Sequence, residues 1–385
     1  MNSHIVDSVG EIKVEWIVEN TKFEAAIHEW QKAAYLAIDT EFERRTTYFP
    51  KFALLQVFDG KTISIVDPLK VEVTAAFRAL LADPEIPKIL HSSKEDLEVF
   101  YDSWRCEIAG LFDTQVAYGF LTGETSVGYA NLVEKVCQKR VAKSATQSDW
   151  MKRPLSDEQI QYAAEDVLYL PKLYLFLSEA LTGHPAENLF QSDCEEMAAL
   201  VKLQPDFDND YRSAKEVYRL DETQLSLFKL LYQWREEVAV TQNRTRNHIA
   251  KDVVLVKIAM AKPRSLNYLR QLDGMHPSAV RRHGQEIIKL IEDWTSDKSP
   301  QLKPVLNPRD VSGLKGLNEL FLMSANKVAQ ENRISIAILA SKRLIRKIAY
   351  AYMTEEHFPE VWNGWRGRLL KPHFDQVFSQ FNATN

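Results

Sequence analysis

At 385 residues, 45% of them hydrophobic and 26% charged, the chain can fold into two or three domains with full cores. No apolar run reaches the ~18 residues of a membrane span, and the N-terminus lacks a basic segment followed by an apolar stretch; this excludes a membrane partner and suits a soluble, cytoplasmic protein. The net charge of −5 hides an asymmetry: residues 1–209 hold 20 Lys/Arg against 34 Asp/Glu, a balance of −14, and residues 210–385 hold 28 against 19, a balance of +9. An acidic half joined to a basic half suits a division between cutting a polyanion and holding it, although a basic helical face is often only solvated.

The first informative segment is "AAYLAIDTEF", in which residues 35–38 are apolar and read as a buried strand. Alternation then places Asp39 and Glu41 on one face at its C-terminal end. Two carboxylates side by side repel each other, a costly arrangement unless a cation neutralises them. Next come "FALLQVF" and "TISIVDP", separated by Asp59-Gly60, a hairpin signal that makes these strands a meander. Helical patterns follow in "VTAAFRALLAD", "KEDLEVFYDSW", "FDTQVAYGFL" and "YANLVEKVC", with a strand at "PKILHS". Asp96 falls in the first turn of the second of these, where Ser92 or Ser93 can cap and acidic residues suit the helix dipole. Ser156 with Gln159 forms a capping box, so a helix starts there and carries Tyr162 beside Asp166 at i, i+4 spacing. Strands mixed with helices in this way predict an α/β sheet with helical cover.

An amphipathic helix over residues 187–203 closes this first domain, assigned to residues 1–203, and "QPDFDNDYR" reads as a linker. Beyond it every pattern is helical, in one block at 211–295 and a second at 304–385. Lys257-Ile258-Ala259 recurs as Lys347-Ile348-Ala349, each followed later by a glycine, Gly284 and Gly367. Cys106, Cys137 and Cys194 are odd in number, far apart and outside any Cys-x-x-Cys pattern, which fits free thiols in a reducing compartment and neither disulfides nor zinc.

A lone Asp-x-Glu is more often a solvated strand end than a metal ligand, and a lone Tyr-x-x-x-Asp more often ordinary helix surface. In this order and setting, however, "DTEFERRTTYFPKFALLQVFDG", "HSSKEDLEVF" and "SDWMKRPLSDEQIQYAAEDVLYL" resemble the three motifs of DEDD-superfamily exonucleases, in the subgroup where tyrosine precedes the last aspartate. The match runs over residues 38–170 and looks like the ribonuclease D family. The two helical blocks resemble tandem helicase-and-ribonuclease-D C-terminal (HRDC) domains, the second departing by the lack of the Lys262-Pro263 step.

The resemblance implies a ribonuclease H-like fold and a metal-dependent 3′-5′ exoribonuclease that releases nucleoside 5′-monophosphates and trims tRNA precursors. It also implies that Asp39, Glu41, Asp96 and Asp166 hold two divalent cations, with Asp39 bridging them and Tyr162 orienting the attacking water. Hard oxygen ligands suit Mg²⁺ or Mn²⁺. Phe42 is either core or a wedge against the terminal base, and Gln56, His91, Tyr48 and Arg153 are candidates for ribose or phosphate contact. Arg153 can equally make a salt bridge at the helix start. Arg244, Arg246, Lys251, Arg281 and Arg282 form the best basic patches for gripping RNA phosphates without reading bases. The other readings are a DNA 3′-5′ exonuclease and an inactive nucleic-acid-binding scaffold. A monomer is expected.

Overall fold

The computed structural model describes residues 2–7, 10–141, 148–203, 206–294 and 301–384. Its N-terminal part is a seven-stranded mixed sheet made of β1 (Asn2–Asp7), β2 (Gly10–Ile17), β3 (Leu36–Glu43), β4 (Lys51–Phe58), β5 (Thr62–Val66), β6 (Lys88–Leu90) and β7 (Leu111–Asp113), in the order β1-β2-β5-β4-β3-β6-β7. The meander over β3, β4 and β5 is antiparallel, as the pattern predicts, and Gly60 takes φ +89° at the hairpin tip, where a residue with a Cβ would be strained. β2 joins β5 in parallel, and β6 and β7 extend the sheet beside β3 in parallel.

Helices cover both faces. On one lie α1 (Asn20–Trp30), α2 (Ala75–Ala82) and α3 (Lys94–Trp104), burying Phe23, Trp30, Phe77, Phe100 and Trp104. On the other lie α4 (Thr114–Thr122), α5 (Tyr129–Cys137), α6 (Asp157–Leu168), α7 (Leu170–Leu181) and α8 (Glu187–Leu200). The strand alternation decides which residues go where: Leu55 and Val57 face the first group, Leu54 and Phe58 the second.

The segment read as a linker is only partly one. Tyr211 sits in a 3₁₀ turn at Asp210–Ser213, buried in the core of the following helices, and Asp208 pairs with Lys229 at 3.0 Å. Low periodicity hid this anchoring, because a single buried aromatic leaves no pattern. That core belongs to α9 (Glu222–Thr241), α10 (Arg246–Ile249), α11 (Asp252–Ala261), α12 (Leu266–Gln271) and α13 (Pro277–Asp293).

The last block is α14 (Leu314–Glu331), α15 (Ile336–Leu339), α16 (Lys342–Thr354), a 3₁₀ turn at Glu360–Trp362 and α17 (Trp365–Thr384). It repeats the order of the preceding block, with α10 and α15, and α11 and α16, each starting 90 residues apart (246 and 336, 252 and 342). Its core is continuous with that beneath the sheet: Phe120 packs on Trp365 at 5.9 Å, and Arg366 pairs with Asp193 of α8. No helix among the described residues is long and apolar enough to cross a membrane.

Candidate active site

β3 carries Asp39 and Glu41 toward the face covered by α6, which packs across β3, β4 and β5. The capping box predicted for Ser156 and Gln159 is present and fixes the start of α6, so Asp166 arrives over the end of β3. Asp39, Glu41 and Asp166 each offer a carboxylate oxygen within 4.8 Å of the others, and each keeps some contact with solvent. Tyr162, one turn before Asp166, hydrogen-bonds its carboxylate. Asp96 lies buried in the first turn of α3 and accepts a hydrogen bond from Thr40 Oγ1, the residue between the two β3 acids.

The start of α3 is not built as expected. Ser93 occupies the N-cap position but caps nothing. Its hydroxyl and backbone N–H instead donate to Asp113 at 2.8 and 2.7 Å, and the Ser92 N–H does so at 3.1 Å. Asp113 also caps α4 through the N–H groups of Gln115 and Val116. One buried carboxylate thereby fixes the turn that aims Asp96.

Burial raises the pKa of all four acids, and for Asp39, Glu41 and Asp96 repulsion from the others adds to it. Asp39 is held well above the usual carboxylate range by burial and then by Asp166. Glu41 is pushed up to about 10 by burial and by Asp39, Asp166 and Asp96. Asp96 is raised by burial and by Asp39, against the hydrogen bond from Thr40. Asp166 rises to about 7 through burial, relieved by Tyr162. No Lys, Arg or His among the described residues pairs with any of the four. A buried, all-oxygen, mutually repelling set without a protein counter-ion fits a hard divalent cation.

Several sequence candidates sit elsewhere. Arg153 is no phosphate clamp: its guanidinium donates to Asp67 at 2.7 and 2.9 Å and to the carbonyls of Ala53, Trp150 and Lys152 at 2.6, 2.7 and 3.0 Å. The salt-bridge reading holds, with the partner at the end of β5. His91 uses both ring nitrogens internally, Nε2 on the Val127 carbonyl at 3.0 Å and Nδ1 near Thr114 Oγ1 at 2.9 Å, so neither is free for ribose. Gln56 is 0% exposed, which removes it from any surface contact. Phe42 follows a bulge in β3 and packs, partly exposed, against the core on the α1–α3 face.

Tyr48 packs against the α9–α13 core and hydrogen-bonds Arg246, which also lies 3.5 Å from the buried Glu236; both residues belong to the seam between the sheet and the second block. The seam is completed by Phe49 N–H donating to Asn243 Oδ1 at 2.9 Å. Arg244, Lys251, Arg281 and Arg282 remain exposed. Burial lowers the His283 pKa, and Arg282 and Arg244 each lie near enough to lower it further, against Glu286.

Thr40, Asp113 and Tyr129 escaped the sequence reading. Tyr129 donates to the Glu165 carbonyl at 2.8 Å and accepts from the Tyr169 N–H at 3.2 Å, which pins the end of α6 beside the acids. Asp113-Thr114 before an apolar helix is an N-cap signal and was findable; Thr40 and Tyr129 act through tertiary partners and leave no local trace.

A family model described as 3′-5′ exonuclease matches residues 14–182, and one for the HRDC domain matches residues 224–291. The chain is 31% identical to ribonuclease D of a Shewanella species over 92% of each sequence. It is 34% identical to ribonuclease D of Haemophilus influenzae, over 91% of this chain and 89% of the other. The chain belongs to the ribonuclease D family. The crystal structure of Escherichia coli RNase D aligns with a TM-score of 0.87 at 29% identity, covering 95% of this chain and 99% of that one. As a member of the ribonuclease D family the protein is a 3′-5′ exoribonuclease. Its exonuclease fold implies the use of divalent metal, and the cluster of Asp39, Glu41 and Asp166 fits that use. The HRDC match falls on the α9–α13 block.

Proposed function

We propose that Asp39, Glu41, Asp96 and Asp166 hold two divalent cations, Mg²⁺ or Mn²⁺, and that Tyr162 completes the catalytic set. The observation that carries this is the convergence of three carboxylates within 4.8 Å, one of them bonded to Tyr162, in a chain of this family. Cations held by these four carboxylates would supply acidified water and neutralise charge on the phosphoryl oxygens. The Tyr162 hydroxyl, held at the site by Asp166, orients the attacking water rather than deprotonating it, since a phenol ionises near pH ~10. Thr40 and Asp113 set the position of Asp96, and Tyr129 that of α6.

The domains are read as 1–203, 211–295 and 304–385, the last a divergent HRDC-like copy. The shared helix order supports this, as do the two glycines. A Cβ on Gly284 would lie 2.8 Å from Leu266 of α12, and one on Gly367 only 1.8 Å from the carbonyl of Trp362 just before its own helix, so neither position has room for a larger side chain. The products are nucleoside 5′-monophosphates and the substrates structured RNAs such as tRNA precursors, gripped by Arg244, Lys251, Arg281 and Arg282 on a half with a charge balance of +9. The protein acts as a monomer in the cytoplasm, consistent with Cys106, Cys137 and Cys194 standing outside any disulfide.

Matched 5′-labelled RNA and DNA strands, incubated with Mg²⁺ or Mn²⁺ and the wild type or Asp39→Asn, test this reading. RNA should be shortened stepwise from its 3′ end by the wild type and not by the variant, and DNA much more slowly. Near-normal turnover by Asp39→Asn at saturating metal removes the site assignment, and equal rates on both strands remove the RNA preference.

A further inference from the structure

Gln56 is the described residue whose two side-chain amide atoms are both buried without a partner. It lies in the middle of β4 at 0% exposure, directly across from Asp39 in the antiparallel pair and from Ile65 on its other side. Leu54 and Phe58 share its face along the strand, and α6 covers that face with the buried Ala163, Ala164 and Val167. Such surroundings suit an apolar side chain, and a buried amide left unpaired weakens a fold. The polar side chain directly opposite is that of Asp39. Facing residues of an antiparallel pair hold their Cβ atoms ~4.5–5.5 Å apart, a separation that a glutamine amide spans. Asp39 accepts a hydrogen bond from the Thr40 backbone N–H, which leaves further acceptor capacity on its two oxygens.

We propose that Gln56 is a positioning residue for the metal site: its Nε2 donates to the Asp39 carboxylate when that carboxylate ligates a cation, and holds it turned toward Glu41 and Asp166. The inference rests on the proposed role of Asp39 as a ligand. Carboxylates that bind metals are themselves oriented by hydrogen bonds, and losing such a bond typically weakens metal affinity about 10–100-fold. Gln56 supplies that bond from inside the sheet, where neither substrate nor solvent competes for it.

The test is Mn²⁺ binding to the full chain without RNA, by calorimetry or electron paramagnetic resonance, for wild type, Gln56→Leu, Gln56→Met and Asp39→Asn. Gln56→Leu should melt in chelator no lower than wild type, because the orphan amide is gone, yet bind Mn²⁺ about 10–100-fold more weakly. The Mg²⁺ concentration for half-maximal RNA degradation should rise in parallel, with the KM for RNA at saturating Mg²⁺ unchanged. If branching at Leu disturbs packing, Gln56→Met, with an unbranched side chain of the same reach, gives the same reading. Wild-type Mn²⁺ affinity in both Gln56 variants alongside a loss in Asp39→Asn overturns this inference alone. Wild-type affinity in Asp39→Asn overturns the site reading beneath it, and failure of both Gln56 variants to fold assigns Gln56 to structure and overturns the inference as well.

Discussion

In the metal-free protein the four acids oppose folding once they ionise. Their folded-state values lie above those of the unfolded chain, so the stability they carry belongs to the protonated forms: it is complete below about pH 4 and is lost as pH rises. The loss passes through about 7 for Asp166 and extends toward about 10 for Glu41. Melting temperature in chelator should therefore fall between pH 5 and 9, and Mg²⁺ should restore it most at the alkaline end. Calorimetric scans across that range check this; identical curves with and without Mg²⁺ would refute it. For Tyr162→Phe the ring stays and the hydroxyl bonded to Asp166 goes. Turnover should drop roughly 10²- to 10⁴-fold with RNA affinity little changed, as single-turnover kinetics and a binding titration can establish.

Among the elements, the loop entering α6 decides where the last acid lands. Arg153 ties that loop to the Ala53 carbonyl of β4 and to Asp67 after β5, whose side chain is 2% exposed. Arg153→Ala leaves a buried carboxylate unpaired and should cost about 3–5 kcal/mol in denaturant unfolding. Lysine should not rescue it, since one ammonium cannot reproduce the forked pair of bonds. A loss of RNA affinity at unchanged stability would instead restore Arg153 to the substrate contacts. α3 teaches a related lesson: its first turn is aimed by Asp113 at the end of β7 rather than by its own serines.

For the whole molecule, the acidic and basic halves are joined by a shared core as well as by the linker. Truncation after Leu203 removes Trp365 from Phe120, Ile338 from beside Gly119, and Arg366 and the Trp365 N–H from Asp193 and Glu196. The remaining fragment should melt at lower temperature than the full chain and bind a hydrophobic dye; an unchanged melting temperature would show that the shared core is dispensable. The phosphate grip is better tested in the intact protein. Replacing Arg244, Arg281 and Arg282 with alanine should weaken RNA binding at low salt, and flatten the salt dependence by about one unit of slope per lost contact. Equal slopes in the two proteins would assign these residues to a solvated face.

The sequence by itself determined whatever rests on local periodicity and capping: the β3 acids on one face, the β4–β5 hairpin, and the α6 capping box with Tyr162 and Asp166 on one helix face. It also carried the motif order that marks the family. Tertiary structure alone decided which side chains were free to meet a substrate. Arg153, His91 and Gln56 look polar and available in the chain, yet the first two spend their donors and acceptors on distant carbonyls and carboxylates, and the third is closed in under α6. Nor can periodicity show that the last helical block shares a core with the sheet, since an amphipathic helix displays which face it buries and never what it buries that face against.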